Sequence, residues 1–129
     1  MMGKGLHLRL SGIIVILAGI GYGGAPAQVL PLVLGVEVTA LEVKHILRAV
    51  MGIYAGIGVF WLLGAHRATL WYAATLSNVL FMGGISLGRL IASLVDGALW
   101  PFTVALVLEL WFFAWGLYNL KKYGEHPPD

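Results

Sequence analysis

The sequence predicts an all-α integral membrane protein, a four-helix bundle with a short interfacial segment between helices one and two. Three observations predict it. Of the 129 residues, 60% are hydrophobic and only 11% are charged, and the mean hydropathy is +0.89, far outside the balance of a water-soluble domain. Four apolar runs, about 8–24, 39–64, 70–95 and 100–120, take up most of residues 1–129 and leave no tail or loop long enough to form a second domain. Each of the last three runs carries one charged residue well inside it, Arg48, Arg89 and Glu109. An ionisable group at such a depth costs at least ~2.5 kcal/mol unless it is paired or faces water.

The first run, Leu8 to Gly24, follows a short basic segment with Lys4 and Arg9. That pattern fits a first membrane helix or a signal peptide, and Ala25, Pro26 and Ala27 resemble a cleavage site. Retention as a helix is the expectation. Val29 to Val38 contains Pro31 and Gly35 and is too short to span, so it reads as interfacial or re-entrant.

Thr39 followed three residues later by Glu42 is a capping-box pattern and predicts the start of helix two. From there to about Gly64 the chain is long enough to cross a bilayer of about 30 Å, with Arg48 about 13 Å above the helix start. Helix three runs from Leu70 to Val95 and stops at the turn signal Asp96-Gly97, with Arg89 about 10 Å before its end. Helix four opens at Trp100-Pro101, where proline is tolerated, and closes near Asn119, before Lys121 and Lys122. Glu109 lies about 13 Å inside it.

Lys4, Arg9, Arg67, Lys121 and Lys122 fall on one side of this topology, while Glu37, Glu42, Lys44 and Asp96 fall on the other. The positive-inside rule then places both termini in the cytoplasm. Arg48, Arg89 and Glu109 come to one layer in the outer half, which predicts a polar cluster. Its candidate members are Arg48, Arg89, Glu109, Asp96, Ser93, Tyr54 and His45. Glu109 has no polar neighbour at helical spacing nearer than Asn119, so its partner must come from another helix, and Arg48 and Arg89 are the candidates. A register-fixing ion pair and a site for an ion, a headgroup or a substrate are both open readings.

Small residues recur four apart at Gly19 and Gly23, Gly52 and Gly56, and Gly84 and Gly88, a spacing that lets membrane helices approach closely. Packing within the bundle is the expectation, with contacts between copies or partners as the alternative. His7, His45, His66 and His126 show no ligand spacing, and the chain has no cysteine, so no metal site is expected. No nucleophilic triad, phosphate loop or dinucleotide fingerprint is present, which points away from an enzyme and from any cofactor. No basic patch suggests nucleic acid. Trp61, Trp71, Trp100, Tyr72 and Tyr118 lie near helix ends and read as interfacial anchors.

From Arg48 onward, Arg48, Gly52, Tyr54, Gly58 and Trp61, then Gly88-Arg89, Ser93 and Asp96-Gly97, then Glu109, form a recognisable pattern. It resembles a family of small bacterial four-helix integral membrane proteins catalogued as a domain of unknown function. The Gly-Arg, Ser, Asp-Gly segment is its most specific part. In that family a proline usually follows soon after the Asp-Gly, whereas here Ala98, Leu99 and Trp100 precede Pro101. The resemblance implies a compact helical bundle in the bacterial cytoplasmic membrane and no particular activity.

Two functional expectations follow. The first is a non-catalytic accessory or structural subunit, surrounded by membrane lipids and joined to other integral membrane subunits or to copies of itself. The second is a small transporter or ligand-binding protein in which Glu109 exchanges a proton or cation beside Arg48, Arg89, Asp96 and Tyr54.

Overall fold

A computed structural model describes residues 2–124, and every regular element in that range is helical. The order is α1 (Met2–Gly23), α2 (Pro26–Leu34), α3 (Leu41–His66), α4 (Ala68–Val95) and α5 (Trp100–Tyr123). Four of these, α1, α3, α4 and α5, are long and apolar enough to cross a membrane. The nine residues of α2 extend only about 13 Å and cannot.

The helix ends depart from the sequence expectation in ways that packing explains. Helix one begins at Met2 rather than Leu8. Gly3 and Gly5 are weak helix formers, but each lies close to a neighbour: a Cβ on Gly5 would come within 3.0 Å of the Ala65 carbonyl, and one on Gly3 within 3.4 Å of the Tyr123 hydroxyl. The Trp71 indole N–H donates to the Lys4 carbonyl at 2.9 Å, and the Lys4 ammonium sits 4.7 Å from the Trp71 ring centre. Tertiary contact thus extends a helix that propensity would start later.

Val29–Val38, read as interfacial or re-entrant and too short to span, gives its residues as far as Leu34 to the short helix α2, with Pro26 in the first turn and Pro31 inside it. Gly35 ends that helix in the left-handed region, at φ 67°, and its N–H closes on the Pro31 carbonyl at 3.1 Å. The helix start is displaced from the capping-box pattern as well. Helix α3 starts at Leu41, and the Ala40 carbonyl accepts from the Lys44 N–H, so Ala40 rather than Thr39 holds the N-cap position. Between α3 and α4 only Arg67 is non-helical, where a five-residue break was expected.

The described residues divide into two compact units, one made of residues 9–62 and the other of residues 2–8 with residues 63–124. In the first, α1 packs on α3 through glycines. A Cβ on Gly12 would lie 3.0 Å from the Gly58 carbonyl, one on Gly58 2.9 Å from the Gly12 carbonyl, and one on Gly19 2.7 Å from the Tyr54 Cβ, while one on Gly23 would collide with the Leu47 carbonyl. The two backbones therefore touch directly, as small residues allow in apolar surroundings. Tyr22 and Tyr54 meet edge to face with centres 6.0 Å apart.

In the second unit the buried residues of α4 are Trp71, Ala74, Thr75, Asn78, Val79, Met82 and Ser86, a stripe at three- and four-residue spacing. It meets the buried face of α5, formed by Leu106, Phe112, Gly116 and Asn119. Gly116 lets Val79 in, since a Cβ there would come within 2.7 Å of the Val79 side chain. Asp96 ends α4 with its N–H on the Ala92 carbonyl at 2.8 Å, and Gly97, at φ 106°, makes the turn that a side chain would strain. Pro101 then opens α5.

Much of the outer surface is apolar: Leu94 is 86% exposed, Val95 75% and Leu80 67%. Surfaces like these suit hydrocarbon as the solvent. Trp100, Tyr72 and Tyr118 are exposed, as anchors should be, but Trp61 and Trp71 are buried. Trp71 packs inside its unit, where its indole N–H holds the Lys4 carbonyl and its ring stands edge to face with that of Tyr123 at 6.2 Å.

Candidate functional site

The charged pair at the α4–α5 corner is built by two helices meeting across a short turn. Arg89 lies about 9 Å before the end of α4 and Glu109 about 13 Å into α5, so folding back at Asp96-Gly97 brings them level. The Arg89 Nε donates to both carboxylate oxygens of Glu109, at 2.9 Å each. The two side chains are 18% and 13% exposed, so the pair is largely withdrawn from its surroundings and each charge depends on the other. The guanidinium carbon stands 5.1 Å from the centre of the Phe102 ring, which adds a cation–π contact from the first turn of α5.

Beside this pair a cleft of about 260 Å³ opens along the last two turns of α4. Arg89, Ser93 and Asp96 line it from α4, with Gly97 and Leu99 from the turn and Phe102 from α5. Arg89, Ser93 and Asp96 are spaced i, i+4 and i+7, so a cation, a hydroxyl and a carboxylate follow one another down one helical face. Such a surface can orient a polar or zwitterionic group against apolar walls.

The expected seven-residue cluster is thus divided. Arg89, Glu109, Ser93 and Asp96 come together at the α4–α5 corner. Arg48, His45 and Tyr54 lie in the other unit. Of the two candidate partners for Glu109, Arg89 holds it, while Arg48 turns its Nη1 to the backbone carbonyls of Gly23 and Gly24 at 2.7 Å each. Those carbonyls are left over at the C-terminus of α1, where a cation is favoured by both hydrogen bonding and the helix dipole. His45 is exposed, and Tyr54 packs on Tyr22 and beside Gly19.

The glycine pairs divide too. Gly19 and Gly23 are packing positions, whereas a Cβ on Gly52, Gly56, Gly84 or Gly88 would meet nothing within 4 Å among the described residues. Five further glycines that seat a neighbouring helix, Gly12, Gly58, Gly64, Gly83 and Gly116, were not singled out by the spacing rule.

Sequence reasoning also passed over His7, which it placed beside the membrane segment. His7 is fully buried, and its Nε2 donates to the Phe112 carbonyl at 2.9 Å, a carbonyl being able only to accept. Its ring lies 5.3 Å from that of Trp115, edge on. Thr75, Asn78, Ser86 and Asn119 are buried in the same unit. The signal was legible: uncharged polar residues inside apolar runs are costly unless bonded, and Thr75, Asn78 and Ser86 share one stripe of α4. Among the described residues no group of three or more His, Asp or Glu side chains could hold a metal ion. His126 lies outside the described residues.

The geometry defines an all-α chain with four helices of membrane-spanning length and apolarity, and an ion pair and cleft at the α4–α5 corner. By its sequence the chain belongs to the DUF4345 family, a domain of unknown function, which matches residues 5–120. No curated protein and no solved structure matches the chain.

Proposed function

We propose that this chain is a non-catalytic integral membrane protein that serves as an accessory or structural subunit of a larger membrane complex. The observation that carries this reading is the open pair of glycine faces. Gly52 and Gly56 on α3, and Gly84 and Gly88 on α4, are exposed and have nothing against them within 4 Å among the described residues. Exposed apolar side chains flank them, Ile53 at 64% and Leu87 at 59%. In hydrocarbon there is no hydrophobic drive between helices, so association depends on close backbone approach at such small residues.

The membrane in this reading is the bacterial cytoplasmic membrane with both termini inside, an orientation that the distribution of Lys4, Arg9, Arg67, Lys121 and Lys122 supports. Because the chain has no cysteine, single cysteines introduced at Lys4 and Asp96 report sidedness directly. Labelling of Asp96→Cys, and not Lys4→Cys, by an impermeant maleimide on intact cells is the expected result.

The test of the subunit reading is purification from the native membrane in mild detergent followed by native mass spectrometry. A stoichiometric integral membrane partner, lost in the Gly52→Leu/Gly56→Leu or Gly84→Leu/Gly88→Leu variants, is expected. A chain that always emerges alone rules the reading out.

A second reading, a small ligand-binding or transport protein, is favoured by one specific observation, the cleft that adjoins the Arg89–Glu109 pair. In proteoliposomes, Glu109→Gln should abolish solute binding or coupled proton release. Unchanged binding and release would refute it.

A further inference from the structure

The cleft at the α4–α5 corner is polar in a directed way. Arg89 stands at its inner end and Asp96 at the turn, with Ser93 between them on the same face of α4. Seven residues of helix separate the two charges by about 10 Å. A phosphate and an amine two carbons apart, each a hydrogen bond of about 3 Å from its protein partner, fill that distance. Ala92, Leu99 and Phe102 supply apolar walls. Elsewhere on the last turn of α4 and at the start of α5, Leu94, Val95 and Trp100 are 86%, 75% and 77% exposed, an apolar surface that acyl chains would cover.

From these relationships we infer that the cleft binds the zwitterionic headgroup of a membrane phospholipid, its phosphate at Arg89 and its ammonium at Asp96. The inference rests on the ligand-binding reading given above and names the ligand class. Three features select this chemistry. Arg89, rather than its partner Glu109, lines the cleft, so the phosphate meets the cation. The Ser93 hydroxyl donates to a phosphate oxygen. Asp96 opposes a headgroup without an amine, because an anionic lipid brings no positive charge to compensate the carboxylate.

The test uses the full chain, delipidated in detergent and titrated by native mass spectrometry with phosphatidylethanolamine, phosphatidylglycerol and soluble phosphoethanolamine. Phosphatidylethanolamine is expected to bind about tenfold more tightly than phosphatidylglycerol, the value of one charge-assisted contact at a partly exposed site. Asp96→Asn should remove that preference by weakening phosphatidylethanolamine alone. Asp96 is exposed, so the variant does not endanger folding. Ala92→Trp, which fills the cleft without touching the ion pair, should abolish the binding.

Equal affinity for both lipids, lost in Ala92→Trp, overturns the zwitterion assignment while the ligand-binding reading stands. Soluble phosphoethanolamine binding as tightly as the lipid overturns the lipid assignment. Binding that survives Ala92→Trp, or no binding by any of the three probes, overturns the cleft as a site of this kind, and with no probe bound the ligand-binding reading loses its support as well.

Discussion

Arg48 closes the C-terminus of α1: its Nη1 donates to the carbonyls of both Gly23 and Gly24 at 2.7 Å, so a side chain from α3 takes up backbone acceptors that a helix end leaves over. The contact gives Arg48 a structural task. Arg48→Met is expected to lower stability by about 1 kcal/mol, and Arg48→Lys to recover part of it, since a cation near a helix C-terminus keeps the dipole interaction without the shared donor. Thermal unfolding in detergent measures both. Equal stability of Arg48→Met and the parent chain would contradict the assignment.

The Arg89–Glu109 pair makes a sharper prediction because neither charge is well exposed. Replacing one partner leaves the other without compensation, so Glu109→Gln and Arg89→Gln should each destabilise the chain by about 3 kcal/mol. The double variant Arg89→Leu/Glu109→Leu should fall well short of the sum, because two apolar side chains of moderate size leave no charge stranded. A double-mutant cycle on unfolding free energy decides it, and strict additivity would show that the two residues are energetically independent.

Glycines at the same four-residue spacing should behave oppositely. Gly23→Leu drives a side chain into the Leu47 carbonyl, and Gly19→Leu into the Tyr54 Cβ and the Met51 carbonyl, so both should prevent a stable fold. Gly52→Leu and Gly84→Leu meet nothing within 4 Å among the described residues and should leave the unfolding midpoint of the isolated chain within a degree or two. Size-exclusion chromatography and thermal unfolding, run side by side, separate the two groups.

His7 anchors the first turns of α1 to α5. His7→Ala removes a buried hydrogen bond to the Phe112 carbonyl and leaves space beside Trp115, at a cost of about 2–3 kcal/mol. His7→Asn keeps a donor and should lose less. Amide exchange at residues 3–8 reports whether the loss is local, with protection falling there first.

The number and character of the membrane-length helices were fixed by local chemistry. Apolar runs of about 20 residues can span a bilayer only as helices, because a backbone polar group in hydrocarbon must be bonded within its own segment. Asp96-Gly97 and Trp100-Pro101 marked the α4–α5 turn for equally local reasons, a left-handed glycine and a proline without an N–H. The isolation of Glu109 on its own helix also predicted that another helix must supply its partner.

Which helix does so was a tertiary matter. Arg89 and Arg48 are both cations at comparable depth in the sequence reading, and only the packing of α4 on α5 gives Glu109 to Arg89 while α1 presents its terminal carbonyls to Arg48. The glycine pairs are alike in sequence, yet Gly19 and Gly23 face α3 while Gly52, Gly56, Gly84 and Gly88 face outward. Spacing places residues on one stripe of a helix, but the rotation of that helix about its own axis decides what the stripe meets, and rotation is set by contacts from residues distant in the chain. The early start of α1 has the same origin: Gly3 and Gly5 argue against helix locally, and the bond from Trp71 to Lys4 overrides them.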